Sequence, residues 1–202
     1  MKKINLGSGP IKGKNGWVNI DLKEGADLVH DLTQGIPASD NSIEYIYTSH
    51  FLEHLPPTEI NFVLKECFRT LNQGGTLSIA VPNARLFIEA YTENRMKIAT
   101  LNNGQSMRAP YFLLEPGEMV YKDAIINTGS AIDWINYIAY SNQEHQYLFD
   151  EENLLAHLRN CGFNNAHLRQ FDPCIDLDSG RHSSLYAKAI KGKESELGIK
   201  VF

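Results

Sequence analysis

The stretch Lys3-Ile4-Asn5-Leu6-Gly7-Ser8-Gly9 has the composition of a short buried strand that ends in a glycine turn. Ile4 and Leu6 supply the apolar positions of the strand. The two glycines let the backbone turn sharply and approach a ligand closely, because glycine has no Cβ. We therefore expect a ligand to bind at the end of this first strand.

Three further strand-like runs follow the glycine turn, and polar or acidic residues stand at their ends. An acid at the tip of the second strand is where an α/β fold of this kind holds a ribose, so Asp21 is a candidate ligand. Acids at strand ends also cap turns, and that alternative stays open for Asp21 and for Asp31. The runs are Trp17–Ile20 before Asp21, Ala26–His30 before Asp31, and Ile43–Ser49 before His50.

The connection between the first two strands is too short for a crossover helix. Residues 10–16 contain a proline and two glycines. Two parallel strands usually need a dozen or more linking residues. The sequence therefore predicts that the first crossover helix is reduced or missing.

The later part of the chain alternates helical and strand patterns, apart from residues 101–129, where no period is sustained. We expect an insertion or lid over the substrate at about 101–142. The predicted elements are a helix from a cap at Thr58 to Gly74-Gly75, a strand over 76–81, a helix over 86–91, helices capped by Ser130 and Asp150, the latter ending at Gly162, and strands over 163–171 and 184–190.

Length and composition predict one ordinary globular domain over residues 1–202. Apolar residues make up 43% of the chain, charged residues 21%, and the formal net charge is −5. An acidic balance of this kind gives no broad basic surface for nucleic acid, so we expect a small-molecule substrate. Three cysteines without a C-x-x-C pair, Cys67, Cys161 and Cys174, predict buried thiols rather than disulfides or structural zinc.

The N-terminal residues predict a cytoplasmic protein. Met1-Lys2-Lys3 leads directly into the first strand, so there is no room for an apolar signal region. No apolar run approaches the length of a membrane span, and we expect none.

Five motifs, taken in order, resemble those of class I S-adenosylmethionine-dependent methyltransferases, and most of all the short bacterial type 11-like group. The likeness covers Lys3 to Asn83 and resumes over Phe149–Phe163. The motifs are Ile4-Asn5-Leu6-Gly7-Ser8-Gly9, Gly16-Trp17-Val18-Asn19-Ile20-Asp21, His30-Asp31-Leu32, Ser49-His50-Phe51-Leu52-Glu53-His54-Leu55 and Leu71-Asn72-Gln73-Gly74-Gly75.

The resemblance implies a Rossmann-like, doubly wound α/β fold. Its mostly parallel seven-stranded sheet would have an antiparallel closing strand, supplied by Ser184–Ile190. It also implies S-adenosylmethionine as cofactor and in-line methyl transfer to a small-molecule or saccharide/lipid-linked acceptor. The implied cofactor-binding residues are Gly7, Ser8 and Gly9 at the methionine moiety, Asp21 at the ribose, Asp31 and Leu32 near the adenine, and Ser49 and His50 at the end of the fourth strand.

The loop after the fourth strand would face the transferring methyl group, so His50, Glu53 and His54 are candidates for removing a proton from the acceptor. The alternative is that Glu53 and His54 brace the loop. His145 and His182 are further candidates on the substrate side, although we favour solvated loop histidines. Three aromatic residues could line a pocket or belong to the core: Tyr111, Tyr121 and Trp134.

The segment His50-Phe51-Leu52-Glu53-His54 also matches H-x-x-E-H, in which two histidines one helical turn apart bind zinc. That arrangement needs a long helix. Here Pro56-Pro57 follows almost at once and a strand-like run precedes. We therefore predict no metal site from this motif.

Two other functions stay open. A binding or regulatory protein could keep this fold without catalysis, because the short first connection removes a helix that usually helps to hold the cofactor. A nicotinamide-dependent enzyme is disfavoured, since no third glycine opens a helix after Gly7-Ser8-Gly9. The missing helix is also a reason to expect a covering partner, such as a second copy in a homodimer.

Overall fold

A seven-stranded, mostly parallel sheet forms the centre of the molecule in the computed structural model, which describes residues 2–10, 13, 16–100, 106–114 and 125–192. The strands of the described residues are β1 (Lys3–Leu6), β2 (Trp17–Asp21), β3 (Leu28–Val29), β4 (Ile43–Ser49), β5 (Leu71–Pro82), β6 (Met96–Thr100), β7 (Ser106–Pro110), β8 (Asn165–Leu168) and β9 (Ser184–Ile190). The order of strands in the sheet is β3-β2-β1-β4-β5-β9-β8, and β9 runs antiparallel to both of its neighbours. This confirms the predicted fold class.

Four α-helices accompany the sheet in the described part of the chain. Among them, no helix is both long and apolar enough to cross a membrane. The helices are α1 (Pro57–Thr70), α2 (Ala84–Thr92), α3 (Ile132–Tyr140) and α4 (Glu151–Asn160).

The predicted boundaries of α1 were wrong at both ends. The helix begins at Pro57, before Thr58, because proline is well tolerated in the first turn, where its missing N–H would have no helical partner. It ends at Thr70, since Leu71 already pairs with Ile43 of β4. Gly74-Gly75 consequently lies inside β5 rather than ending the helix.

The connection between β1 and β2 has no helix in its described residues, 7–10, 13 and 16, as predicted. The carboxylate of Asp27 holds this connection beside the sheet. Its Oδ2 accepts from the backbone N–H of Gly13 at 2.6 Å and from that of Asn19 at 2.9 Å. A side chain after β2 thus fixes a segment that a crossover helix would otherwise occupy.

The main hydrophobic core lies between the sheet, α1 and α4. Apolar positions at helical spacing on both helices meet alternate residues of the strands. The largest fully buried side chains of this core are Phe149, Phe163, Ile4, Leu6, Ile43, Ile46, Leu52, Ile60, Leu64, Leu71, Leu77 and Ile79.

A second, smaller core joins the hairpin β6–β7 to α2 and α3. The hairpin was not predicted, because its strands have only five residues each and its stability comes from packing in this second core. Trp134 is 2% exposed and belongs to this core, together with Phe87, Phe112 and Ile138. Of the expected insertion over 101–142, residues 101–105 and 115–124 lie outside the described residues.

The cysteines differ in their surroundings. Cys67 and Cys161 are buried, as predicted, whereas Cys174 is exposed. The prediction of a buried thiol was wrong for Cys174 because this residue lies in a turn between β8 and β9, outside both cores.

Candidate functional site

Parallel pairing brings the predicted strand-end residues to one edge of the sheet. Leu6, the last residue of β1, is in register with Ile20 of β2 and with Thr48 of β4. Gly7, Asp21 and Ser49, which come one residue later on each strand, therefore share the carboxyl edge. Ligands bind at this edge in open α/β sheets.

The glycine turn forms a cradle that needs both of its glycines. Gly7 and Gly9 have φ values of 65° and 70°, in the left-handed region that favours glycine. A Cβ on Gly7 would collide with the ring of Phe51, whereas no described atom lies within 4 Å of a Cβ built on Gly9. The turn is therefore closed by Phe51 on one side and open at Gly9.

Asp21 orients the turn. Its Oδ2 accepts from the backbone N–H of Gly9 at 2.7 Å, and its Oδ1 accepts from that of Lys23 at 2.8 Å. A carboxylate has about four lone-pair sites, so capacity remains for hydroxyl donors of a ligand. The structure thus places Asp21 directly beside the open glycine.

Asp31 lies at the N-terminus of the 3-10 turn Leu32–Gln34 and caps it. Its Oδ1 accepts from Thr33 Oγ1 at 2.7 Å and from the Thr33 backbone N–H at 2.9 Å, and these bonds lower the pKa of Asp31. The Leu32 side chain is buried in the main core. A ligand would therefore meet the backbone of Leu32 rather than its side chain.

His50 follows β4 in an unusual backbone conformation. Its φ is 51°, and its backbone N–H donates to the carbonyl of Ala80 at 2.9 Å. The imidazole lies between the start of β9 and the 3-10 turn after β4. Its Nε2 is 2.9 Å from Ser184 Oγ, and its Nδ1 is 3.3 Å from Glu53 Oε1. The left-handed backbone conformation of His50 is thus accompanied by contacts of its side chain with Ser184 and Glu53.

Glu53 is the most unusual side chain of the site. It is 1% exposed, and neither carboxylate oxygen makes a hydrogen bond with any described residue. Two imidazole nitrogens face Oε1, His50 Nδ1 at 3.3 Å and His54 Nε2 at 4.0 Å. Burying a carboxylate without hydrogen bonds costs free energy, so the Glu53 oxygens are expected to bind a hydrogen-bond donor or a cation.

His145 completes the cluster from a distant part of the chain. Its ring centroid lies 5.1 Å from that of His54, edge to face. Nδ1 of His145 is 2.8 Å from the carbonyl oxygen of Ile138, and burial lowers the pKa of His145. The interpretation of His145 as a solvated loop residue was therefore wrong, because the loop folds back onto the turn after β4.

The other predicted substrate-side residues lie elsewhere. His182 is exposed, as favoured from the sequence. Tyr111 lines a surface pocket with Arg95, Met96 and Lys97, and Trp134 lies in the second core. Tyr121 lies outside the described residues. Phe51, which closes the glycine turn, was missed because nothing in its local pattern distinguishes it from a core phenylalanine.

A comparison of the sequence with protein families finds one match over part of the chain. Residues 15–79 match the model of the methyltransferase domain. No curated protein matches the sequence significantly.

Three solved structures illustrate the likeness in fold. A SAM-dependent methyltransferase from Archaeoglobus fulgidus is 15% identical, with 94% of this chain and 86% of that chain covered and a TM-score of 0.54. One from Mesorhizobium loti is 14% identical, with 94% and 90% covered and a TM-score of 0.51. The Burkholderia thailandensis 1,6-didemethyltoxoflavin-N1-methyltransferase, with 1,6-didemethyltoxoflavin and S-adenosylhomocysteine bound, is 12% identical, with 95% and 71% covered and a TM-score of 0.50.

Proposed function

We propose that this chain, a class I S-adenosylmethionine-dependent methyltransferase by its matched domain and its fold, transfers the methyl group to a small-molecule or saccharide/lipid-linked acceptor in one in-line displacement. The family match and the fold bear out the predicted resemblance and its cofactor. The acceptor and the residue roles below are our proposals.

One observation carries the proposal: an open glycine turn with a carboxylate fixed beside it at the carboxyl edge of parallel strands. No atom of the described residues lies within 4 Å of a Cβ built on Gly9, and Asp21 keeps lone pairs available while it holds the turn. Hydroxyl groups of a ribose match carboxylate acceptors, and glycine permits close approach of the backbone. The residues present therefore fit S-adenosylmethionine.

In this site Gly7, Ser8 and Gly9 would hold the methionine moiety and Asp21 the ribose. Asp31 and the backbone of Leu32 would lie near the adenine, with Ser49 and His50 along the end of β4. The cofactor supplies an already activated methyl group. The protein accordingly needs chiefly to align the acceptor and to exclude water.

His50 is the best-placed base in the described residues if the acceptor must lose a proton. It lies at the end of β4, and its Nδ1 lies 3.3 Å from a buried carboxylate, which would stabilise the imidazolium that forms. Glu53 and His54 lie in the same turn and remain candidates. The bracing role of His54 considered from the sequence is supported by its Nδ1, which lies 3.0 Å from the carbonyl oxygen of Glu144.

We infer that the segment over about 101–142 selects the acceptor as a lid or insertion within a single domain. The Burkholderia enzyme described above has a small molecule bound. The net charge of −5 gives no broad basic surface, so we expect no nucleic acid substrate. A homodimer that covers the side left open by the missing helix, and a cytoplasmic location, remain predictions.

Calorimetric titration with S-adenosylmethionine and S-adenosylhomocysteine tests the cofactor site. We expect saturable binding of both and at least about tenfold weaker binding by Asp21→Asn, since one hydroxyl acceptor is lost. Asp178→Asn is the matched control, because the Asp178 carboxylate is 72% exposed and faces Arg181 at 3.8 Å. NAD serves as the control ligand for the nicotinamide alternative.

The outcomes separate the functions. Binding without turnover over a panel of hydroxyl, amine and carbon acceptors would favour the non-catalytic alternative. Failure of folded protein to bind either sulfur ligand would contradict the proposal.

A further inference from the structure

Glu53, His54 and His145 bring one oxygen and two nitrogen donors together beside the glycine turn. The three donor atoms all lie within 4.8 Å of one another. We infer that they bind a divalent transition-metal ion of the zinc and cobalt kind. This site is distinct from the helical H-x-x-E-H arrangement, because the turn Leu52–His54 is a short 3-10 turn and the third donor comes from another loop.

The two histidines are held in the tautomer that metal binding requires. Nδ1 of His54 contacts the carbonyl oxygen of Glu144 at 3.0 Å, and Nδ1 of His145 contacts that of Ile138 at 2.8 Å. A carbonyl oxygen only accepts hydrogen bonds, so each Nδ1 must carry the proton. In the neutral rings each Nε2 then keeps its lone pair, as in metal sites where the second ring nitrogen donates to a backbone carbonyl.

Glu53 supplies an independent reason to expect a cation. Its carboxylate is almost fully buried and makes no hydrogen bond with the described residues. His50 Nδ1 lies 3.3 Å and His54 Nε2 lies 4.0 Å from Oε1, and neither nitrogen makes a hydrogen bond with it. A bound cation would supply the positive charge that the neutral His54 and His145 rings lack, and so would stabilise the buried carboxylate.

Backbone contacts fix the two loops relative to each other. The carbonyl oxygen of Glu53 accepts from the N–H of Gln146 at 2.8 Å and from that of Tyr147 at 3.2 Å. The Gln146 side chain donates from Nε2 to the carbonyl oxygen of His54 at 2.8 Å. The donors therefore sit on loops that are already joined, so little ordering remains for a metal to induce.

Two imidazoles and one carboxylate are the protein ligands of open catalytic zinc sites. Zinc bonds of about 2.0–2.1 Å in a tetrahedron keep ligand atoms roughly 3.3 Å apart. The 4.0 Å between His54 Nε2 and Glu53 Oε1 therefore has to shorten by about 0.7 Å, and a separation at the 4.8 Å limit of the cluster by about 1.5 Å. Three protein ligands leave a coordination position open for water or for a hydroxyl group.

The role that we assign to the open coordination position of the metal rests on the proposed function. A bound metal ion would lower the pKa of an acceptor hydroxyl held there, and the hydroxyl proton would pass to solvent. The oxygen–carbon bond would then form as the sulfur–methyl bond of the cofactor breaks, and S-adenosylhomocysteine would be the leaving group. Phe51, whose ring would meet a Cβ on Gly7, directly precedes the Leu52–His54 turn, so the glycine turn and the turn that carries Glu53 and His54 are neighbours. This favours an oxygen acceptor.

Titration of tag-free, chelator-treated protein with Zn²⁺ and Co²⁺ tests the site, without any sulfur ligand present. We expect about one ion per chain and a higher unfolding temperature with Zn²⁺. Bound Co²⁺ should show the visible d–d absorption that is typical of low-symmetry coordination. Glu53→Gln and His145→Gln should each weaken binding at least about tenfold. His167→Gln, an exposed histidine on β8, is the matched control and should bind like the unmodified chain.

The unfolding temperature of the metal-free variants keeps the test interpretable. Glu53→Gln should be at least as stable as the unmodified chain without metal, because a buried charge is removed, yet gain nothing from Zn²⁺. Absence of stoichiometric binding, or equal binding by Glu53→Gln, His145→Gln and His167→Gln, overturns the inference. S-adenosylhomocysteine binding without metal binding would reject only the metal site, and the reverse result would reject only the proposed function.

Discussion

Gly7 and Gly9 lie in one turn, but different physical constraints require glycine at the two positions. Gly7 needs a left-handed backbone and has no room for a Cβ against Phe51, whereas Gly9 needs only the backbone conformation. The first is fixed by packing and the second is open to a ligand. This difference follows from a contact with a residue that is remote in the sequence.

We predict that Gly7→Ala destabilises the fold more than Gly9→Ala. Gly9→Ala should cost about 1–2 kcal/mol for the left-handed conformation, and Gly7→Ala about 1–3 kcal/mol more for the collision with Phe51. Urea unfolding of both variants measures the difference. Equal losses of unfolding free energy would show that Phe51 moves aside readily.

At the same scale, Glu53 shows that an individual residue can be more informative than its motif. The H-x-x-E-H pattern fails as a helical zinc motif, yet the carboxylate is buried without a hydrogen bond in the described structure. Burial is a tertiary property. The local sequence contains no signal for it.

At the scale of elements, α4 is held by a reciprocal cap. Asp150 Oδ1 accepts from the Asn153 N–H at 2.9 Å, and Asn153 Oδ1 accepts from the Asp150 N–H at 3.0 Å. Asp150 Oδ2 also pairs with Arg85 of α2 at 2.9 Å. The start of α4 is thus tied to the neighbouring helix.

Replacement of Asp150 by alanine should cost about 0.5–2 kcal/mol of unfolding free energy, since a helix N-terminal donor loses its acceptor. The exposed pair with Arg85 adds little. Glu152→Ala is the control, because that side chain is 89% exposed and lies 3.8 Å from Arg85. A loss no greater than that of the control, measured by urea unfolding, would contradict the role of the cap.

Local patterns gave the elements whose limits are locally determined. The N-cap of α4 was identified as Asp150, and Gly162 was expected to end the helix, where it follows the C-cap Cys161 with a φ of 104°. The strand β9 was identified as residues 184–190. The limits of α1 and β5 were missed, since pairing with β4 decides where the strand begins. The β6–β7 hairpin was missed because its stability comes from the second core.

At the scale of the whole molecule, the two hydrophobic cores stabilise different parts of the fold. The main core contains β1, β4 and β5, which position the glycine turn, whereas Trp134 and Phe87 belong to the second core with the β6–β7 hairpin. The Trp134 indole N–H also donates to the carbonyl oxygen of Arg108 in β7. The second core can therefore weaken without removing the sheet edge.

We predict that Trp134→Ala loosens the second core selectively, at a cost of about 3–5 kcal/mol for the lost side chain. Hydrogen exchange should rise in α2, α3 and β7 but not in β1, β4 or β5, and the affinity for S-adenosylhomocysteine should change less than about twofold. Phe163→Ala, in the main core, is the control and should raise exchange throughout the sheet. Loss of protection in β1 with Trp134→Ala would show that the cores unfold together.

The strand-end residues of the candidate site could be placed from the sequence, because parallel strands bring their carboxyl ends to one edge. Gly7, Asp21 and Ser49 follow from that rule alone. His145 could not be placed, since it reaches the site through a loop between α3 and α4. No periodicity links that loop to the turn after β4.

The sequence by itself determined the α/β class, the short first connection and the line of candidate ligand residues. These depend on hydrophobic periodicity, on glycine and proline and on chain length between elements, all of which are local. The tertiary structure decided that Phe51 closes the glycine turn, that Glu53 is buried without a hydrogen bond in the described chain, and that His145 faces His54. Those facts depend on packing between distant segments, which local patterns do not encode.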